Sequence, residues 1–216
     1  KTIVTTELIK DIAEKFDVES LDVLTGFKFI AGIIREREGD KTFIGGGEES
    51  YGYLIGEAVR DKDAIASAAF IAEMVAYASS EGKSVFDLLT DLYVEFGFYL
   101  ESLISITKKG KAGAEEIEAM MKNFRENPPA TLGGQKVVQV NDYQEQKSIN
   151  LITGKQTPID LPKSNVLQFF TEDGSKISAR PSGTEPKIKF YFGVKGQLDH
   201  ADNYDKVKQE LKNKIL

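Results

Sequence analysis

Arg180-Pro181-Ser182-Gly183-Thr184-Glu185-Pro186-Lys187, running straight into Ile188-Lys189-Phe190-Tyr191-Phe192, is the stretch on which the reading of this chain turns. A guanidinium, hydroxyls, a glycine and an ammonium are gathered between prolines, and an alternating apolar run follows at once. Alternation with period two is the pattern of a half-buried strand, so the segment reads as an anion-binding loop that feeds a β-strand. Arg180 offers a planar fork of donors that matches two phosphate oxygens. Ser182 and Thr184 add rotatable O–H donors. The amides of Ser182, Gly183 and Thr184 can point into one concavity, because glycine accepts dihedrals that other residues avoid. Pro181 and Pro186 have a fixed φ and restrict the flanks, which reduces the entropy lost on binding. A surface turn would also be rich in Gly, Pro and Ser; it is the order of the residues that points to a phosphate.

Around this loop the chain falls into two α/β units. Upstream of it, residues 136–140, 148–152 and 166–170 read as short strands, and Glu172-Asp173-Gly174-Ser175 as a hairpin turn. Residues 99–107 alternate like another strand. Ile117, Met120, Met121 and Phe124 mark a helix that stops before Pro128-Pro129. Tyr204, Val207, Leu211 and Ile215 line one face of a closing helix. Strands flanked by two helices predict an α+β layer, an antiparallel sheet with helices on one face. Nearer the N-terminus, residues 2–5 read as a short strand and Thr6 as the cap of a helix carrying Leu8, Ile9, Ile12, Ala13 and Phe16 on one face. Further strands are expected at 21–24 and 42–44, with a helix at 29–37 between them. Ile65, Ala68, Ile71, Ala72, Val75 and Ala78 repeat at helical spacing and predict a long core helix that starts near Asp63 and ends at Gly82. Ser84-Val85-Phe86-Asp87 reads as a capping box for the next helix. The fold class is α/β: a mixed α/β domain over residues 1–98, then an α+β domain over 99–216.

A second segment carries chemistry. Phe43-Ile44-Gly45-Gly46-Gly47-Glu48-Glu49-Ser50-Tyr51-Gly52 reads as a strand end and a glycine-rich loop in which Glu48 and Ser50 can bind sugar hydroxyls. A third is Leu24-Thr25-Gly26-Phe27-Lys28, which ends in a lysine at a strand start. In this order the three segments resemble the phosphate loop, the Gly-Glu-x-Ser sugar loop and the Thr-Gly-Phe-Lys segment of the α-D-phosphohexomutases, the phosphoglucomutase/phosphomannomutase family. The resemblance runs over the whole chain. It implies the third and fourth domains of that family. It also implies a substrate-binding set of Lys28, Glu48, Ser50, Arg180, Ser182, Gly183 and Thr184, with Lys187 as a supporting charge.

Two segments of the family pattern have no counterpart in this sequence. The phosphoserine loop of Thr-Ala-Ser-His-Asn-Pro type is absent, since the single histidine, His200, stands between Asp199 and Ala201. The Asp-x-Asp-x-Asp loop that binds Mg²⁺ through hard carboxylate oxygens is absent too. Asp61-Lys62-Asp63 reads as a helix N-terminus instead. The chain is therefore expected to be the C-terminal half of a phosphohexomutase that interconverts hexose 1-phosphate and hexose 6-phosphate, glucose first and mannose next. What the resemblance implies for the whole enzyme is a phosphoserine, Mg²⁺ bound outside this chain, and glucose 1,6-bisphosphate as intermediate and activator. The chain's partners would be the phosphosugar and the N-terminal domains of the same protein. By itself this piece is expected to hold no catalytic residue, no metal and no activity. The alternatives from other classes are a non-catalytic phosphosugar-binding module and a purely structural domain.

Composition fits a soluble intracellular protein, with a cytoplasmic setting expected, and argues against other classes. The 216 residues suffice for two small domains, and 41% hydrophobic residues lie well outside the disordered regime. A formal charge of −6 argues against nucleic acid, while a local cationic loop can still hold a phosphate. The absence of cysteine excludes disulfides and thiolate metal sites. No apolar run reaches membrane-spanning length.

Overall fold

The computed structural model describes residues 1–215, which divide into two compact units, Lys1–Phe96 and the chain from Gly97 on. The first unit holds α1 (Leu8–Lys15), α2 (Phe27–Glu36), a hairpin of β1 (Gly45–Glu48) and β2 (Gly52–Ile55), then α3 (Ala64–Ser80) and α4 (Val85–Phe96). One of its core clusters buries Val23, Phe27, Ile30, Ile34 and Leu54 together, with Phe29, Ile33 and Phe43 against them.

Several local signals in this unit act as the sequence predicts. Asp63 caps α3, its carboxylate accepting from the amides of Ile65 (2.9 Å) and Ala66 (3.0 Å). Past the end of α3, Gly82 takes φ 69° and the Lys83 amide returns to the Ala78 carbonyl (2.8 Å), a left-handed stop. At the start of α4 the Ser84 amide and hydroxyl both donate to Asp87 Oδ2 (2.7 Å each), and the Asp87 amide donates to Ser84 Oγ (3.2 Å). That is a reciprocal capping box. Thr6 Oγ1 accepts from the Leu8 amide (3.3 Å), but the N-cap position of α1 is Glu7.

Three expectations for this unit fail. Residues 2–5 and 21–24 do not form strands. They meet in one parallel bridge, Thr2 to Val23, and the bond from the Thr5 amide to the Thr2 carbonyl (3.0 Å) turns the chain away before a ladder can grow. The strand placed at 42–44 lies three residues later, in β1, where Glu48 pairs with Gly52 across the hairpin. The apolar row on α3 is not core: of Ile65, Ala68, Ile71, Ala72, Val75 and Ala78, only Ala78 is buried. The helical period was right, but the two-stranded hairpin offers too little sheet to cover it.

The second unit has a full layer. Its elements are β3 (Phe98–Thr107), α5 (Gly110–Glu126), β4 (Thr131–Leu132), β5 (Gln135–Asp142), β6 (Lys147–Asn150), β7 (Gln156–Pro158), β8 (Leu167–Thr171), β9 (Lys176–Pro181), β10 (Lys187–Gly196) and α6 (Tyr204–Ile215). The strands form an eight-stranded antiparallel sheet of order β3-β10-β9-β8-β5-β6-β7, with β4 on β5. Short β4 and β7 carried no apolar alternation and were not legible in the sequence. Residues opposite each other in an antiparallel ladder share a face. The register therefore puts Leu167, Phe169, Ile177, Ala179, Ile188, Phe190 and Phe192 on one side. There Ile117 and Met121 of α5 complete the core, and the Phe124 ring meets Phe169 and Phe190 edge-on at 6.1 and 6.3 Å. The end of α6 lies over Ile177 and Phe192, so both helices cover the same face.

The other face of the central strands is polar. Tyr143 Oη donates to Gln168 Oε1 (2.6 Å), and Gln168 Nε2 donates to Ser178 Oγ (2.8 Å). All three residues are buried, so each bond spares a desolvated polar group.

Candidate functional site

The Arg180–Lys187 segment, expected to hold a phosphate, spans the turn between β9 and β10, and the register fixes which way its charges face. Arg180 lies opposite Lys189, and Ser178 opposite Tyr191. Arg180 and Lys189 thus stand side by side on the polar face, away from α5. Lys189 was not singled out in the sequence; only the strand register makes it a neighbour of Arg180. Lys187, which was singled out, instead closes the loop through its backbone. Its amide donates to the Glu185 carbonyl (2.7 Å) and its carbonyl accepts from the Ser182 amide (2.7 Å).

The loop's donors are partly spent on the loop itself. The amides of Thr184 and Glu185 both donate to Ser182 Oγ at 3.3 Å, and the hydroxyls of Ser182 and Thr184 lie 3.5 Å apart. Ser182 Oγ thus stands where a phosphate oxygen would collect two backbone donors. Bonds of 3.3 Å are long for N–H···O, so an anionic oxygen would compete with them well. The expectation that the amides of Ser182, Gly183 and Thr184 share one concavity needs correcting: the Ser182 amide is already committed to Lys187.

The role expected of Gly183 changes as well. Its φ is not left-handed, and a Cβ there would meet nothing within 4 Å. The fold does not demand glycine at this position, and the space beside its Cα is open. On the α5 side, residues Pro181 to Pro186 also border a cavity of about 700 Å³, with Lys122 and Arg125 across it. Arg125 is tied to Asp142 Oδ2 (3.1 Å) and to Asn165 Oδ1 (2.5 Å). Arg180 does not line that space.

In the first unit, Glu48 closes β1, and Glu49, Ser50 and Tyr51 form the turn of the hairpin. Glu48 Oε1 accepts from the Gly26 amide (2.9 Å), joining this turn to the Thr25-Gly26-Phe27-Lys28 segment. Of these residues, Glu48 has one carboxylate oxygen engaged by the Gly26 amide, Ser50 is exposed, and Lys28 lies exposed in the first turn of α2. Lys28 lines a cavity of about 990 Å³ together with Gly26, Arg35, Arg60, Asp61 and Lys62. Arg60 is paired with Glu38 (3.1 Å) and Lys62 with Asp61 (3.0 Å), while the Lys62 ammonium also sits 5.2 Å above the Phe27 ring. Lys62 is a second cation beside the Gly26–Lys28 segment. The sequence concealed it inside the helix-start signal of Asp61 and Asp63.

His200 is structural. It caps the single turn Ala201–Asn203, its Nδ1 accepting from the Asp202 amide (3.3 Å). Among the described residues no group of three or more His, Cys, Asp or Glu side chains could hold a metal ion, and no helix is long and apolar enough to cross a membrane.

With this geometry in place, comparison with known proteins gives a consistent answer. Residues 1–96 match the family profile described as phosphoglucomutase/phosphomannomutase, alpha/beta/alpha domain III. Residues 107–207 match the phosphoglucomutase/phosphomannomutase C-terminal domain. The phosphoglucomutase of Staphylococcus haemolyticus is 38% identical over 216 residues, covering 100% of this chain and 38% of the relative. That of Staphylococcus saprophyticus is 36% identical over 213 residues, 98% of this chain and 38% of the relative. The chain thus spans 38% of the length of the curated relatives it matches. Among solved structures, the open form of the Paramecium phosphoprotein parafusin, a phosphoglucomutase, shares the fold. It has a TM-score of 0.64 at 20% identity, over 99% of this chain and 36% of that one.

Proposed function

Because this chain belongs to the phosphoglucomutase/phosphomannomutase family, we propose that it is the sugar- and phosphate-holding half of an enzyme that interconverts hexose 1-phosphate and hexose 6-phosphate, with glucose the preferred hexose and mannose second. Arg180, Ser182, Gly183 and Thr184 hold the phosphate that is not reacting, with Lys189 beside Arg180 and Lys187 closing the loop. Glu48 and Ser50 hold ring hydroxyls, with Lys28 and Lys62 supplying positive charge at the same turn. The observation that carries this reading is the register that seats Arg180 next to Lys189 at the mouth of a loop whose Ser182 hydroxyl already gathers two amides.

In the whole protein a phosphoserine gives its phosphoryl group to the free hydroxyl of the sugar. The bisphosphorylated sugar turns over, and the other phosphate returns to the serine. Mg²⁺, which would neutralise charge on a transferring phosphoryl group, would on this reading be held by the N-terminal domains of the whole protein. The part of this chain is to bind the remote end of the substrate, so that binding energy positions the reacting end. Setting and cofactor follow the same reading: a cytoplasmic enzyme, with glucose 1,6-bisphosphate as its intermediate.

Calorimetric titration with glucose 1-phosphate and mannose 1-phosphate tests this, alongside an Arg180→Ala variant and a mutase assay on the same sample. Loss of a bidentate, charge-assisted contact is expected to weaken binding by about 1.5–3 kcal/mol, with no turnover by the chain alone. In the whole enzyme the same change raises KM and lowers kcat/KM. An Arg180→Ala chain that binds as tightly as the parent would overturn the assignment, and turnover by the chain alone would overturn its non-catalytic role.

A further inference from the structure

The turn between β1 and β2 presents Glu48 and Ser50, but the residue between them points elsewhere. Glu49 Oε2 lies 3.1 Å from Thr2 Oγ1 and 3.3 Å from Thr5 Oγ1, and the two hydroxyls are 2.9 Å from each other. Thr2 and Thr5 are both buried. A carboxylate oxygen accepts from a hydroxyl, and both Thr2 Oγ1 and Thr5 Oγ1 lie within donating reach of Glu49 Oε2. The triangle is a polar anchor set into the floor beneath the turn.

A second observation shows that the turn needs an anchor. Tyr51, its last residue, is held at φ 68° and is 90% exposed. Three-residue hairpin loops end in a left-handed residue, a place where glycine fits best. A bulky residue persists there only when its surroundings impose the conformation. The exposed Tyr51 ring makes no packing that could do so. The ladder that closes at Glu48 and Gly52 asks for this conformation, and two carboxylates before Tyr51 tie the turn down further: Glu48 bound to the Gly26 amide (2.9 Å) and Glu49 bound to the threonine pair. Thr2 is in turn bridged to Val23, so both anchors reach the same neighbouring strip of chain.

We infer that Glu49 is a positioning residue for sugar recognition: it touches no ligand, but by locking the turn onto Thr2 and Thr5 it fixes the directions of Glu48 Oε2 and the Ser50 hydroxyl. This rests on the reading that Glu48 and Ser50 contact the sugar. Binding groups held a fraction of an ångström off their productive places lose much of their value.

The test uses the chain in titrations with glucose 1-phosphate and, separately, inorganic phosphate, with NMR couplings reporting φ at Tyr51. Glu49→Ala is expected to weaken glucose 1-phosphate binding about tenfold or more, to leave inorganic phosphate binding unchanged, and to release Tyr51 from the left-handed region. Glu49→Gln keeps a carbonyl acceptor for the hydroxyls and is expected to restore both affinity and φ. Thr5→Val should follow Glu49→Ala in direction, and Thr5→Ser should follow the parent. The Thr5 pair decides the matter should Glu49→Ala unfold the first unit. Parental affinity and an unmoved Tyr51 in Glu49→Ala and Thr5→Val, while Ser50→Ala loses glucose 1-phosphate, would overturn the inference and leave the functional reading intact. An Ser50→Ala chain that binds as the parent does would instead overturn the sugar-contact reading. Equal losses for inorganic phosphate and glucose 1-phosphate would reduce Glu49 to a general stabiliser and would also overturn the inference.

Discussion

The two units carry similar helical periodicities and use them differently. In the second, the apolar faces of α5 and α6 lie on one side of an eight-stranded sheet, and Met121 and Ile188 are almost fully buried. In the first, α3 carries a longer apolar row, yet Ile65 is 83% exposed, and Phe70, Ile71, Val75 and Tyr77 are exposed as well. A period records which side chains share a face. It does not record whether a layer exists to receive that face, and burial rather than periodicity yields the roughly 25 cal/mol per Å² of apolar area.

The largest effect expected from this contrast is on stability. Met121→Ala should cost about 2–5 kcal/mol, the range for emptying a packed core position, whereas Ile65→Ser should stay within about 0.5 kcal/mol of the parent. Denaturant unfolding followed by hydrogen exchange in each unit separates the two, and the second unit should show the higher protection. A cost above about 1 kcal/mol for Ile65→Ser would mean that α3 is packed after all, and the contrast would collapse.

The glycines of the two loops sharpen the comparison. At Gly47, in β1, an added Cβ would meet Tyr53 Cδ1 at 2.4 Å and the Gly52 carbonyl oxygen at 2.9 Å. At Gly183 it would meet nothing within 4 Å. Gly47→Ala should therefore destabilise the first unit by about 1–3 kcal/mol through overpacking. Gly183→Ala should leave stability within about 0.5 kcal/mol and yet weaken phosphate binding about tenfold by blocking the approach of the anion. Thermal unfolding and phosphate titration on the same samples check both. If Gly183→Ala binds phosphate unchanged, the loop's glycine has no ligand to make room for.

These loops also mark the limit of what a sequence discloses. The capping box at Ser84 and Asp87, the Asp63 cap and the Gly82 stop were legible because donor and acceptor lie within a few residues of each other. The clustering of Arg180, Ser182 and Thr184 in one loop was legible for the same reason. The pairing of Arg180 with Lys189 was not, because it depends on hairpin register, where a slip of one residue would send Lys189 to the other face. Residues 2–5 read as a strand because Ile3 and Val4 are apolar, and both are buried in the structure. A strand needs a partner along its length, and here the chain turns after one bridge. The role of Glu49 was hidden because its partners lie more than forty residues away, while Lys62 was read as part of a helix start.

The smallest effect concerns acid. Asp173, in the β8–β9 turn, loses solvent on folding, which alone would raise its pKa. Bonds from the Thr171 hydroxyl (2.7 Å), the Lys214 ammonium (3.0 Å) and the Ser175 amide (3.1 Å) outweigh that and hold the carboxyl below the usual carboxylate range. A depressed pKa means that the unfolded chain takes up the proton first. The stabilisation is thus complete above the ordinary aspartate value, near pH 4, and disappears as the pH falls through the lower folded value. The group is partly solvated, so the contribution is at most about 1 kcal/mol after screening. Asp173→Asn should therefore lie below the parent by that amount at neutral pH, and the gap should close in acid, read as the difference between their unfolding midpoints in the second unit. A gap that persists at pH 2 would place the role of Asp173 in the geometry of the turn rather than in its charge. Lys214 would then be a bystander, and the anchoring of α6 to the sheet would rest on Leu211 and its apolar neighbours alone.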